Sequence, residues 1–205
     1  MSPYVRNSGW ARREQTPPLG ADIQGKTLGV IGFERIGQEL IWCMQAFGCD
    51  TLWYDVFDAP HSSAPESEYR PLNDFLLAEA DFVSLHTNLD ASSHHMIGEA
   101  ELNLMKPTAY LVNTARGPLI DQVALTKALQ SNQIAGAALD VFEKEPPVED
   151  DPIFTLPNII CFSHIGTATK ETRRAMRELA VKNLIAVITG KKPLASVNPE
   201  VLGQN

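Results

Sequence analysis

Three segments in the second half of the chain carry side chains able to do chemistry together. "LVNTARGPLID" places Arg116 just past an apolar run, and "GAALDVFEKEPP" brings Asp140 and Glu145. "NIICFSHIGTATKETR" places His164 just past another such run. A guanidinium fork grips a carboxylate through two parallel hydrogen bonds, which suits a 2-oxo acid. An imidazole exchanges protons near neutrality, so it can protonate a carbonyl oxygen as hydride reaches the carbon. A carboxylate beside the ring orients it and favours its charged form. Each residue alone has a plain alternative: Arg116 as a surface ion-pair partner, Glu145 as a solvated loop acid, His164 as a helix cap. The chemistry requires that all three meet.

Short apolar runs alternating with helix-period segments predict a fold that does this, an α/β doubly wound parallel sheet of Rossmann type. The expected strands are 27–31, 51–54, 82–85, 109–112, 135–140 and 159–162. Several lack in/out alternation, as strands covered on both faces should. Ile36, Leu40, Cys43, Met44 and Phe47 recur at helical spacing ahead of Gly48. Asp121 precedes "QVALTKALQ" as an N-cap would. A last helix carries Met176, Leu179, Ala180, Asn183, Leu184 and Val187 along one stripe and stops at Gly190. The polar, proline-bearing segment 57–70 reads as a surface loop. The divisions are a lead-in over 1–20, one Rossmann domain over 21–190 and a tail over 191–205. In such sheets the carboxyl ends of the strands converge on a ligand crevice.

Between the first strand and helix lies "GVIGFERIG", a G-x-G-x-x-G loop with its middle glycine replaced. Gly32 and Gly37 hold the first and third positions, and Arg35 and Ile36 open the helix whose N-terminal N–H groups would face a pyrophosphate. Glu34 stands where close approach is wanted. It brings a Cβ and a like charge, which costs about 1–3 kcal/mol against one phosphate charge unless the carboxylate caps the helix itself. Asp55, about 18 positions beyond Gly37, is placed to hold ribose hydroxyls. No Arg follows it closely to accept a 2′-phosphate, so the cofactor expected is NAD.

The chain of 205 residues is 44% hydrophobic with a net charge of −8, enough for one good core. With a pI near 5.1 it is poorly suited to nucleic acid or an anionic membrane. No apolar run reaches membrane-span length, and no signal-peptide pattern opens the chain. Cys43, Cys49 and Cys161 lack metal or redox spacing, so a cytoplasmic location is expected. His94 and His95 read as a solvated loop without a third metal ligand, His86 as loop packing, and Asp150 and Asp151 as a solvated turn. Trp42 and Trp53 read as core or interface residues, and Trp10 as an interface residue.

With these segments in order, the chain resembles the coenzyme-binding domain of the D-isomer-specific 2-hydroxyacid dehydrogenases. "GKTLGVIGFERIGQEL", "LMKPTAYLVNTARGPLID", "IAGAALDVFEKEPP" and "SHIGTATKETR" carry the likeness, and "VNPEV" resembles the family's tail. The resemblance implies that Arg116 binds the substrate carboxylate, that His164 is the general acid/base and that Glu145 is its partner. It places Asp140 near the nicotinamide end and Thr87, Thr114, Ala115 and Gly166 along the cofactor. Glu34, Asn88 and Ser163 depart from the pattern, the last two standing where proline is usual. The family's substrate-binding lobe is expected to be largely absent. The function implied is NAD-linked hydride transfer at C2 of a small 2-hydroxy or 2-oxo acid, by a homodimer. The alternative is a non-catalytic NAD-binding or dimerisation module retaining the site residues.

Overall fold

The computed structural model describes residues 20–56 and 67–200. The lead-in up to Leu19, Trp10 included, and the end of the tail lie outside the described residues. Seven parallel strands form one sheet: β1 (Thr27–Ile31), β2 (Asp50–Tyr54), β3 (Glu68–Tyr69), β4 (Phe82–Leu85), β5 (Tyr110–Asn113), β6 (Gly136–Leu139) and β7 (Ile159–Cys161). Their order is β3-β2-β1-β4-β5-β6-β7, so the winding reverses between β1 and β4. That reversal opens a crevice at the carboxyl ends. Among the described residues, four α-helices accompany the strands: α1 (Arg35–Ala46), α2 (Glu99–Leu104), α3 (Gln122–Gln130) and α4 (Lys170–Ile188).

Strand β1 shows how the pleat divides two cores. Leu28 and Val30 point to a cluster with Phe33 and with Ile41 of α1, and Trp53 packs against it. Ile31 joins the larger cluster on the other face, with Leu85, Leu111, Leu102 of α2 and Leu125 and Leu129 of α3. Asp121 caps α3 by accepting the Ala124 N–H, as its position predicts.

Four expectations are corrected. Segment 57–70 ends in strand rather than loop, since Glu68 and Tyr69 pair with Leu52 and Trp53. Helix α1 is rotated from its expected stripe: Ile41 is fully buried, whereas Ile36 and Phe47 are exposed. The apolar run was continuous enough around the helix to hide its inner face. Coverage on both faces fails toward β7, where Tyr110 and Ile160 are exposed. Helix α4 forms with its N-cap Thr169, yet no residue of it is buried, so none of the described residues covers its apolar stripe. Helix α2, unheralded in the sequence, is a six-residue element fixed by packing of Leu102.

Candidate active site

The glycine turn follows directly from β1. Gly32 has a φ of 99°, and a Cβ there would overlap the Thr87 N–H and the His86 carbonyl. A Cβ at Gly37 would overlap the Gly32 carbonyl, so helix and strand meet at van der Waals distance. Glu34 is the N-cap of α1 by position, but its side chain makes no capping hydrogen bond. The carboxylate therefore does not stand in for an anion on the helix. Instead it lines a cleft of about 370 Å³ with Gly32, Asp55, Thr87, Asn88 and Asp90. Asp55 follows β2, and its Oδ2 accepts the Phe33 N–H at 2.7 Å. This bond ties the acid to the turn. Arg35 and Ile36 occupy the exposed first turn of α1.

The second group of residues stands at the ends of β5, β6 and β7. At the end of β5, Asn113 is wholly buried. Its Oδ1 accepts the Ala115 N–H at 3.0 Å, and its amide donates to the Arg116 carbonyl at 2.8 Å. One side chain thus shapes the loop carrying Thr114, Ala115 and Arg116. The Arg116 Nη1 donates to the Ala115 carbonyl at 2.7 Å, leaving the rest of the fork exposed. Past β6, Asp140 accepts N–H bonds from Ile165 and Gly166, both at 2.8 Å. It is buried beneath the loop and holds that loop, so both oxygens are engaged.

His164 is the first turn of that loop, in the left-handed region at a φ of 56°. Its N–H donates to the Asp140 carbonyl at 2.8 Å. The imidazole Nδ1 lies 2.8 Å from Glu145 Oε2. An ionised carboxylate only accepts, so Nδ1 carries the proton and Nε2 is left for another partner. Glu145 Oε1 accepts the Phe142 N–H at 3.1 Å. Desolvation pushes the Glu145 carboxyl up, but the His164 and Phe142 hydrogen bonds and the His164 and Arg116 charges outweigh it. The net effect holds the carboxyl below the usual glutamate value. A cleft of about 500 Å³, walled by Phe142, Pro146, Phe154 and Phe162, flanks the pair.

The structure brings His164 and Glu145 into hydrogen-bond contact, with Arg116 near enough for its charge to act on Glu145. The sequence did not single out Asn113, whose only signal was an amide ending an apolar strand. It also took His95 and Asp151 as solvated. His95 Nε2 lies 2.9 Å from Glu143, and Asp151 accepts from Gln122 at 2.7 Å and from Ile153 at 3.0 Å. Among the described residues no cluster of His, Cys, Asp or Glu could hold a metal, and no helix is long and apolar enough to cross a membrane.

A glycine turn at the sheet's reversal point, an acid after β2 and a guanidinium–carboxylate–imidazole set at later strand ends define a dinucleotide-binding α/β domain. Residues 1–166 match the family model described as D-isomer specific 2-hydroxyacid dehydrogenase, NAD binding domain, and the chain belongs to that family. It is 45% identical over 205 residues to a glyoxylate reductase of Thermococcus litoralis, covering 97% of this chain and 61% of the relative. A glyoxylate reductase of Pyrococcus furiosus is 44% identical, with 97% and 60% covered. Among solved structures, a glyoxylate reductase from Paecilomyes thermophila superposes with a TM-score of 0.85 at 38% identity, covering 96% of this chain and 58% of that one. The NAD-complexed D-isomer specific 2-hydroxyacid dehydrogenase of Lactobacillus delbrueckii ssp. bulgaricus gives 0.83 at 33%, with 94% and 63% covered. The chain spans about 60% of the length of these relatives. NAD, the cofactor expected from Asp55, is that of the matched domain. The Gly32 turn and uncapped α1 fit it; Glu34 fits it poorly.

Proposed function

We propose that this chain is the catalytic coenzyme domain of an NAD-dependent reductase of small 2-oxo acids, acting reversibly on the D-2-hydroxy acid. The observation that carries the proposal is the His164–Glu145 contact, which fixes a proton on Nδ1 and directs catalysis to Nε2. Gly32 and the first-turn N–H groups of α1, including those of Arg35, Ile36 and Gly37, would hold the pyrophosphate, and Asp55 the ribose. Thr87, Thr114, Ala115 and Gly166 would line the rest of the cofactor. When bound, the nicotinamide supplies hydride to the substrate's C2 or takes it back. Arg116 pairs with the substrate carboxylate and so fixes the carbonyl relative to His164. His164 gives its Nε2 proton to the carbonyl oxygen, which becomes the hydroxyl, and recovers a proton from solvent. Glu145 stabilises the imidazolium before that transfer and holds the ring's orientation throughout.

The relatives' name makes glyoxylate the first substrate to test. NADH oxidation with glyoxylate is expected, and His164→Ala should lower kcat by about 10²–10⁴-fold. Oxidation at an unchanged rate in that variant would remove His164 from the chemistry. A second reading, an NAD-binding or dimerisation module without turnover, is favoured by Glu34 in the cleft and the uncovered α4. Thermal stabilisation by NAD without oxidation of NADH would select it. Two copies are proposed to pair through this domain, so light scattering should give twice the chain mass; a monomer at working concentration would contradict pairing.

A further inference from the structure

Two of the loops that carry the proposed chemistry touch each other, and a histidine outside both is bonded to each. A Cβ at Gly117, next to Arg116, would overlap the Phe142 carbonyl, so the Arg116 loop lies directly on the segment leading to Glu145. His95, in the loop before α2, has a left-handed φ of 53°. Its backbone N–H donates to the Pro118 carbonyl at 2.8 Å, which anchors it to the Arg116 loop. Its ring reaches the other way, with Nε2 2.9 Å from Glu143 Oε1. The acceptor is a carboxylate, so Nε2 carries the proton of that bond. The His94 ring lies beside it, tilted by 30° with ring centroids 3.9 Å apart.

Glu143 is held from a second side as well. Its Oε2 accepts the Gln122 N–H at 3.2 Å, and its own N–H donates to Gln122 Oε1 at 3.1 Å. The Gln122 amide in turn donates to Asp151. Glu143 lies two residues from Glu145, so fixing its side chain limits where the Glu145 carboxylate can go. From this geometry we infer that His95 is a positioning residue, clamping the Glu145 loop against the Arg116 loop so that Glu145 meets His164. The inference rests on the proposed function for its consequence, but not for its geometry. Side chains of His95 and Glu143 are each about a third exposed, at 34% and 36%. Such pairs contribute little to global stability, so the clamp should be felt in the site more than in unfolding.

The test follows the Glu145 carboxyl in the full chain by carbon NMR, with glutamate labelled at the carboxyl, in wild type, His95→Leu, His95→Gln and Glu143→Ala. Glutamine keeps an N–H donor where leucine has none. The wild-type carboxyl should titrate below the usual range, and His95→Leu and Glu143→Ala should both move it up, the double variant no further than either single one. His95→Gln should restore it. In the NADH–glyoxylate assay kcat should fall about three- to tenfold in His95→Leu with little change in KM, and recover in His95→Gln. If His95→Leu does not fold, Glu143→Ala carries the comparison. An identical Glu145 titration in wild type and Glu143→Ala, or a glutamine variant as impaired as leucine, would overturn the inference. A wild type that turns over no substrate but shows the Glu145 response would sink the proposed reaction and leave the clamp standing.

Discussion

The carboxylates in this site are distinguished by what holds them. Asp140 is buried with both oxygens taken by backbone N–H groups. Glu145 is shared between His164 and Phe142. Glu34, one residue from the tightly used Phe33 N–H, makes no cap and faces the cleft. Like-charge repulsion then weakens a pyrophosphate in that cleft, and Glu34→Gly should tighten NADH about 5- to 150-fold, read by cofactor fluorescence. Equal affinity in the two forms would refute both the steric and the electrostatic cost. Glu145 gives a signed pH effect. Its folded carboxyl sits below the ordinary value of 4.5, so between the two values the unfolded chain binds more protons. The stability it supplies is complete above about pH 4.5 and drains away as acid carries the pH down through the folded value. Unfolding midpoints against pH should therefore fall less steeply in Glu145→Gln on the acid side; parallel curves would contradict this.

At the scale of elements, the strand ends do the positioning, and one of them carries a half-buried titratable group. His86 follows β4, with its Nε2 2.9 Å from the buried Ser84 hydroxyl, and its backbone packs on the Gly32 turn. Burial lowers its folded value below the ordinary 6.5. The unfolded chain then takes up the extra proton first, so stability is full above about pH 6.5 and decreases on acidification until the folded value is passed. Urea midpoints from pH 7.5 to 5.5 should drop in wild type, by at most about 1.4 kcal/mol per pH unit, and less in His86→Asn. An identical slope in the variant would locate the titration elsewhere. This element also shows where sequence reading succeeds. The six longer strands were legible because runs such as "TLGVI" and "FVSL" are apolar throughout, and the strand ends told where Arg116 and His164 must lie. Strand β3 was not, since two polar-flanked residues gain their geometry from β2 alone. His95, Asn113 and Asp151 escaped for a related reason: their partners are distant in sequence or set by loop conformation, and side-chain type does not announce them.

For the whole molecule, the two cores are unequal. The large cluster runs from Ile31 to Ile153, while among the described residues nothing covers the far side of β5–β7 or α4. Burial is what stabilises most helices, so α4 should be the least protected long element. Amide exchange is expected to be fast along Lys170–Ile188 and slow in β1, β4 and β5. Protection of α4 equal to that of the central strands would contradict this. Core loss should act globally instead: Leu111 is fully buried, and Leu111→Ala should cost about 2–5 kcal/mol in chemical denaturation.

The turn at Gly32 and the acid at Asp55 make or break every functional statement above, because without a bound dinucleotide Arg116, Glu145 and His164 have no hydride to accompany. Calorimetric titration of NAD into the intact chain measures this directly. Saturable binding of one NAD per chain is expected, abolished by Gly32→Ala and weakened by Asp55→Ala. A folded chain that takes up no NAD at about millimolar concentration, or binds equally well after Gly32→Ala, would contradict it.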